Sequence, residues 1–231
     1  MKNILLIGGS HGIGFELASQ LLKEHRVFVA SRTSETLGKL EVTHIPFDSA
    51  TDELDINLLP DVLDGFVYCP GTINLKPFHM LNPDTFSSDM DINFLSLVKT
   101  LHTILPRLKK SNQASLLFFS TVAVKVGMPF HTSVAAAKGA IEGFAKALAA
   151  EYAPAMRVNV IAPSLTDTPL ASRLLGNDKK REKMDERHPL KRVGNVKDIA
   201  NIATFLLSEK SSWITGQVLG VDGGLSTLNL S

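Results

Sequence analysis

The sequence contains a single cysteine, no long hydrophobic run and no excess of charge of either sign. Cys69 is the only cysteine among 231 residues, so an internal disulfide is impossible, and no Cys/His cluster has the spacing of a zinc site. The longest apolar runs have the length of strands, well below that of a membrane span. Because 24 basic residues nearly balance 23 acidic ones, the net charge of +1 argues against a nucleic-acid partner.

The N-terminus lacks the charged, apolar and small-residue zones of a secretory signal, because its apolar run leads straight into glycines. Together with the single cysteine, this predicts a protein of the reducing cytoplasm. A chain of 231 residues with 44% hydrophobic content is long enough for one core and short for two. No internal repeat, linker or low-complexity segment divides it, so we expect one domain over 1–231.

The most informative segment joins an apolar run to a glycine-rich turn near the N-terminus. The run at 4–7 is typical of a buried strand, and Gly8, Gly12 and Gly14 follow it before apolar residues recur at helical spacing. A strand, a glycine turn and a helix in this order direct free backbone N–H groups and a positive helix end toward a phosphate. The pattern predicts a nucleotide site; the alternative is a glycine turn without a ligand.

Strand-like and helix-like segments alternate along the rest of the chain. This alternation is typical of a parallel sheet with helices on both faces, which predicts a three-layer α/β/α fold. The later strands are expected at 27–30, 42–47, 115–119 and 157–163, within 214–224, and at 65–71, where the range includes the exit turn of the strand. Too few periodic residues lie between 49 and 64 for a full helix, so we expect that connection to be short.

The glycine spacing, Gly8-x-x-x-Gly12-x-Gly14, resembles the motif of the short-chain dehydrogenase/reductase family, with Ile7 in place of the family's threonine. The resemblance includes Asn93 within a long helix, Lys138 and the C-terminal segment, and it spans 4–224. It implies a Rossmann-type, doubly wound parallel sheet of about seven strands. It also implies a nicotinamide dinucleotide cofactor, a small-molecule substrate and a homodimer or homotetramer.

The resemblance implies cofactor-binding residues at the strand ends. Arg32 stands where an arginine accommodates the 2′-phosphate of NADP, with no carboxylate competing at that position, so we expect NADP(H); the alternative is a solvated surface cation. Asp48 matches the aspartate that contacts adenine, and Thr168 matches the threonine that holds the nicotinamide carboxamide. The full expected set is Gly8, Ser10, His11, Gly12, Ile13, Gly14, Ser31, Arg32, Asp48, Gly71, Lys138 and Thr168.

The catalytic residues that the resemblance implies are Asn93, Ser120, Thr121 and Lys138. In the family, the lysine binds the nicotinamide ribose and the asparagine holds a water that relays protons to it. A serine at the end of the fifth strand hydrogen-bonds the substrate carbonyl. Counting back from Lys138 aligns Thr121 with that serine and leaves Ser120 as its neighbour, and both remain candidates.

The proton donor of the family is missing. The family has Tyr-x-x-x-Lys, and the tyrosine position here holds Val134, which cannot transfer a proton. One interpretation is that His131, Ser133 or a water bound by Lys138 supplies the proton. A second is that the substrate is an activated C=C bond, where hydrogen bonds stabilise the enolate and water protonates its carbon. A third is that the chain binds NADP(H) with little turnover.

Residues 170–190 correspond to the part that folds over the substrate in this family. Their charged run mixes both signs, which predicts a solvated face, and such a segment suits a lid. We therefore expect an NADP(H)-dependent oxidoreductase that acts on a carbonyl or a conjugated enoyl substrate. The alternative is a catalytically weak or inactive NADP(H)-binding regulatory protein. We expect no metal, nucleic-acid or membrane partner.

Overall fold

Seven parallel strands form one sheet in a computed structural model of the protein, which describes residues 1–229. The strand order is β3-β2-β1-β4-β5-β6-β7, which confirms the predicted Rossmann-type fold. The strands are β1 Asn3–Ile7, β2 Arg26–Ser31, β3 Thr43–Pro46, β4 Gly65–Tyr68, β5 Ala114–Phe119, β6 Met156–Pro163 and β7 Val218–Val221.

Helices connect the strands and cover both faces of the sheet. They are α1 Gly12–Leu21, α2 Pro83–Met90, α3 Ser96–Leu108, α4 Val122–Lys125, α5 Thr132–Tyr152, α6 Asp178–Arg187 and α7 Val196–Leu207. Between β3 and β4 the structure has only the 3₁₀ turn Ile56–Leu58, which confirms the short connection predicted there.

The alternation of side chains along the strands divides the core into two layers. Leu5 and Ile7 of β1 face the layer that includes residues of α3 and α5. Ile4 and Leu6 of the same strand face the layer that includes residues of α1 and α7. Full burial of each such side chain contributes ~1.5–3 kcal/mol, so both faces must be covered by helices.

The strand order reverses at β1, which pairs with β2 on one side and with β4 on the other. Ile7 stands opposite Ala30 of β2 and Tyr68 of β4, so the residues that follow these three strands emerge at the same sheet edge. In open α/β sheets, ligands bind in the crevice at such a reversal. The topology therefore places the glycine turn and the end of β4 side by side.

The long helix predicted around Asn93 is interrupted by a π-helical turn, Asp91–Leu95, between α2 and α3. The Asn93 Nδ2 donates to the Asp89 backbone carbonyl, with the two atoms 2.7 Å apart. An asparagine side chain competes for helix carbonyls in this way, and π turns often mark functional sites. The departure from regular helix occurs at the residue that the sequence predicted to be functional.

Candidate functional site

A cavity of about 1200 Å³ opens at the carboxyl edge of the sheet. It exceeds the ~300–1,000 Å³ of most small-molecule sites, which leaves room for a dinucleotide and a substrate together. All twelve residues predicted to bind the cofactor line it, as do Ser120 and Thr121. Asn93 is fully buried and adjoins the cavity through Gly71. The predicted roles of these residues remain predictions.

One end of the cavity, the nucleotide end, is formed by the glycine turn and the start of α1. Gly8 and Gly12 have φ angles of 77° and 54°, which favour glycine. A Cβ on Gly14 would lie 2.6 Å from the Gly8 carbonyl oxygen. In the described chain, no side chain caps α1 at its N-cap residue His11, so backbone donors of the first turn are available to an anion. This cradle fits a pyrophosphate.

Arg32 and Asp48 meet at the outer part of the nucleotide end. The Arg32 Nη1 lies 4.0 Å from the Asp48 Oδ2, and the arginine side chain is 77% exposed. The carboxylate that approaches Arg32 therefore comes from the segment after β3 and not from the end of β2 itself. Because β2 and β3 are parallel neighbours, the residues just beyond their carboxyl ends come together although 16 positions separate them in the chain. The guanidinium is nevertheless exposed enough to reach a phosphate.

A second part of the cavity wall, called the reacting end here, is centred on Lys138 of α5. A Cβ on Gly71 would lie 3.3 Å from both the Lys138 Nζ and the Asn93 Oδ1, so glycine permits these two groups to approach the β4 turn. Burial lowers the pKa of Lys138 to about 8. Burial also raises the pKa of the nearby Cys69 thiol to about 12, which keeps it neutral and unreactive.

The structure distinguishes the two hydroxyl residues at the end of β5. Ser120 Oγ donates to the Glu142 Oε1 at 2.5 Å, so the serine proton is already engaged. Thr121 Oγ1 accepts from the Ala123 backbone N–H at 3.3 Å, which leaves the threonine proton available to a ligand. Thr121 is therefore the better hydrogen-bond donor to a substrate oxygen.

The candidate proton sources near Val134 also differ. Val134 itself is one of the residues that line the cavity, one helical turn before Lys138. Ser133 is fully buried and donates to the Asp89 carboxylate, so it does not face the cavity. His131 does line the cavity, and its Nδ1 lies 2.7 Å from the Pro129 carbonyl. Because a carbonyl only accepts, the Nδ1 carries a proton and Nε2 is the nitrogen that can exchange one.

A buried carboxylate that the sequence reasoning missed holds the reacting end together. Asp89 is fully buried, and its Oδ1 accepts from Thr72 Oγ1 at 2.5 Å and from Asn74 Nδ2 at 2.6 Å. Its Oδ2 accepts from Ser133. Asp89 thus joins α2, the loop after β4 and the first turn of α5. The available signal was its spacing, one helical turn before Asn93.

A second missed feature is a hydrogen-bonded pair of Ser164 and His188. Ser164 follows β6 and His188 follows α6; both line the cavity, and their Oγ and Nε2 atoms are 2.8 Å apart. The His188 Nδ1 lies 2.8 Å from the Met184 carbonyl. The signal in the sequence was Ser164 itself, which stands where the family pattern has glycine.

The predicted lid segment forms part of the cavity wall. It contains the 3₁₀ helix Pro169–Leu174 and α6, and Lys183, Met184 and Arg187 of α6 line the cavity. The Arg181 guanidinium bonds the Asp167 carboxylate at 2.5 Å, which ties α6 to the loop after β6. Closure over a substrate remains a prediction.

Two features are not found within residues 1–229: a membrane-spanning helix and a cluster of metal ligands. No helix there combines the length and apolarity needed to cross a membrane. Over the same range, no group of three or more His, Cys, Asp or Glu side chains is placed to hold a metal ion.

Comparison with known proteins gives matches over nearly the whole chain. A family model described as "Enoyl-(Acyl carrier protein) reductase" matches residues 8–226. The 3-oxoacyl-[acyl-carrier-protein] reductase FabG of Chlamydia trachomatis is 31% identical over an alignment of 245 positions, which covers 97% of this chain and 97% of that one. The peroxisomal 2,4-dienoyl-CoA reductase SPS19 of Saccharomyces cerevisiae is 40% identical over 149 residues, 64% of this chain. That match covers 51% of the yeast protein, about half its length.

Solved structures share the fold over almost their full length. The ligand-free aldohexose dehydrogenase of Thermoplasma acidophilum superposes with a TM-score of 0.90 at 25% identity, covering 100% of this chain and 96% of that one. A short-chain type dehydrogenase/reductase of Mycobacterium ulcerans superposes with a TM-score of 0.89 at 25% identity, covering 97% and 90%.

Proposed function

Because this chain belongs to the short-chain dehydrogenase/reductase family of oxidoreductases, we propose that it is an NADP(H)-dependent oxidoreductase acting on a carbonyl or a conjugated enoyl substrate. The observation that carries the proposal is one cavity with two ends. The nucleotide end offers a backbone anion cradle, and Lys138, Thr121 and Thr168 line the same cavity. When bound, the dihydronicotinamide supplies the hydride.

The residues of the nucleotide end suit a phosphorylated dinucleotide. Backbone N–H groups of the glycine turn and of the first turn of α1 hold the pyrophosphate. The forked donors of Arg32 suit the 2′-phosphate, whose two negative charges compete favourably with the single charge of Asp48. At the reacting end, Lys138 holds the ribose and Thr168 holds the carboxamide.

The reacting end favours an enoyl substrate over a simple carbonyl. A carbonyl reduction requires a proton at the new alkoxide, and Val134 occupies the position from which a tyrosine would deliver it. Addition to a conjugated enoyl group requires only stabilisation of negative charge on the carbonyl oxygen. Thr121 can donate to that oxygen, and the Lys138 ammonium adds a positive charge in a buried setting. Water can then protonate carbon.

The proposal also covers the organisation of the chain. We propose one nucleotide-binding domain over 1–231, with 170–190 as a substrate lid because α6 forms part of the cavity wall. A homodimer or homotetramer in the cytoplasm fits the family. The small residues Ala135, Ala136 and Gly139 on α5 would allow close helix packing.

The cofactor choice is tested by fluorescence titration with NADPH and NADH. We expect Arg32→Asp to weaken NADPH binding at least about tenfold, because it replaces a phosphate ligand by a repelling charge, and to change NADH binding less than about twofold. Arg26→Asp is the matched control, since Arg26 is exposed at the amino end of the same strand. Equal losses of affinity for the two nucleotides would show that Arg32 does not bind the 2′-phosphate.

Turnover is tested by following NADPH oxidation against a panel of carbonyl compounds and a panel of enoyl thioesters. We expect activity with enoyl thioesters to exceed activity with carbonyls. Val134 favours a second candidate function, a nucleotide-binding regulatory protein with little catalysis. Tight NADPH binding without detectable NADPH oxidation in either panel would support that second function instead.

A further inference from the structure

Ser164 and His188 are brought together at the wall of the cavity from two segments that 24 positions separate in the chain. His188 is only 3% exposed, while Ser164 is partly exposed to the cavity. The ring is held on a third side by the C-terminal tail, where a Cβ on Gly223 would lie 3.6 Å from the His188 Cβ. The imidazole orientation is therefore fixed by packing and by both of its nitrogens.

The proton positions in the pair follow from the partners. The Met184 carbonyl can only accept, so the His188 Nδ1 carries a hydrogen. In the neutral ring the Nε2 is then an acceptor, and the Ser164 hydroxyl donates to it across 2.8 Å. Within the described residues no carboxylate oxygen lies within 4.0 Å of either nitrogen of this ring. The Ser164 oxygen then has lone pairs free to accept a hydrogen bond from a ligand.

We propose that Ser164 is a ligand-recognition residue that accepts a hydrogen bond from an amide N–H, and that His188 is the positioning residue that imposes this polarity. A free serine hydroxyl can donate or accept, whereas one whose proton is held by an imidazole can only accept. The amide belongs either to the nicotinamide carboxamide, since Ser164 shares a loop with Thr168, or to an amide-bearing thioester substrate. Both sources rest on the proposed function.

The cofactor source is tested with Ser164→Ala, measuring dissociation constants by calorimetry for NADP⁺ and for its 3-acetylpyridine analogue, in which a methyl group replaces the amide nitrogen. We expect Ser164→Ala to weaken NADP⁺ about 5- to 20-fold and to leave the analogue within about twofold of wild type, because only NADP⁺ offers an amide N–H. The outcome that overturns this source is equal loss for both nucleotides.

The positioning role of His188 is tested in the same assay with His188→Ala and with the double variant. We expect His188→Ala to reduce the discrimination between NADP⁺ and the analogue, and the double variant to be no worse than Ser164→Ala alone, because the two residues act as one unit. A general structural defect would instead weaken both nucleotides alike. His102→Ala, an exposed histidine of α3, is the matched control.

The substrate source is tested by comparing KM for crotonyl N-acetylcysteamine thioester, which has an amide, with KM for crotonyl ethyl thioester, which has none. If Ser164→Ala raises KM only for the amide-bearing thioester and leaves NADP⁺ binding unchanged, the substrate supplies the N–H and the proposal stands. If neither nucleotide discrimination nor this KM ratio changes, the proposal is overturned. If the wild-type protein binds neither NADP⁺ nor the analogue, the proposed function itself is contradicted. This outcome differs from failure of the Ser164 proposal, in which the wild type binds both nucleotides and the variants change nothing.

Discussion

The two ends of the cavity differ in which part of the chain forms them, the backbone or the side chains. The nucleotide end is mostly backbone, formed by the glycine turn and the uncapped start of α1 within seven consecutive residues. The reacting end is mostly side chain: Thr121, Lys138, Ser164 and His188 come from four separate segments, and Asp89 ties the first turn of α5 to the loop after β4. A backbone site depends on a local glycine pattern, whereas a side-chain site depends on packing across the whole fold.

The two ends also differ in their electrostatics. Arg32 at the nucleotide end is exposed, and its interaction with Asp48 is screened by water and salt. Lys138 at the reacting end is buried, and its pKa is lowered to about 8. A change of charge at the nucleotide end is therefore expected to alter the choice between NADPH and NADH with little change in the free energy of unfolding. Charge at the reacting end is coupled to stability.

The largest expected effect is that of Gly14→Ala at the nucleotide end. The new Cβ would overlap the Gly8 carbonyl oxygen at 2.6 Å, and relieving such overpacking costs ~1–3 kcal/mol. We expect a loss of up to about 100-fold in NADPH affinity, measured by fluorescence titration. Gly143→Ala is the control, since nothing lies within 4 Å of a Cβ there, and it should stabilise α5 by ~0.5–1 kcal/mol. If Gly14→Ala binds NADPH as tightly as the wild type, the glycine turn is not the pyrophosphate-binding site.

Lys138→Met should separate function from stability at the reacting end. Because burial lowers the pKa of Lys138 from 10.5 to about 8, the folded protein carries a penalty for the ammonium below about pH 8. Between about pH 8 and 10.5 the unfolded chain binds more protons than the folded one, so stability rises with pH across that window. We expect Lys138→Met to lose this rise and to be ~1–3 kcal/mol more stable at pH 7, with cofactor affinity reduced.

The measurement for Lys138 is urea unfolding of the ligand-free protein from pH 7 to pH 10.5. Lys146→Met, at an exposed position of the same helix, is the control and should leave the pH dependence intact. A Lys138→Met protein that is less stable than wild type at pH 7 would show that burial of this amine is not a penalty.

The third change, Asp89→Asn, should lower the free energy of unfolding by an amount similar in size to the change expected for Lys138→Met. An amide in place of the buried carboxylate leaves at least one of its three donors without an acceptor, at a cost of ~1–3 kcal/mol in the free energy of unfolding. Urea denaturation measures it, and Asp84→Asn on the exposed face of α2 should stay within ~0.5 kcal/mol of wild type. An unchanged stability would mean that the Asp89 cluster does not brace the reacting end.

Much of the fold was predictable from the sequence because its signals are local. Strands and glycine turns are encoded by neighbouring residues, and β1 with its turn is recognisable from eleven consecutive positions. The short connection after β3 was predictable for the same reason. The Arg32–Asp48 contact was not, because it depends on which strands are neighbours in the sheet.

The candidate site divides in the same way. The sequence alone determined that the residues after the strands gather at the carboxyl edge, since the strand ends of a parallel sheet converge there. Only the tertiary structure decided which hydroxyl is free, Thr121 or Ser120, which histidine nitrogen holds a proton, and that Ser133 faces away from the cavity. For Ser120 and Ser133 the reason is distance along the chain: their partners Glu142 and Asp89 lie 22 and 44 positions away, and folding alone brings them within hydrogen-bond reach.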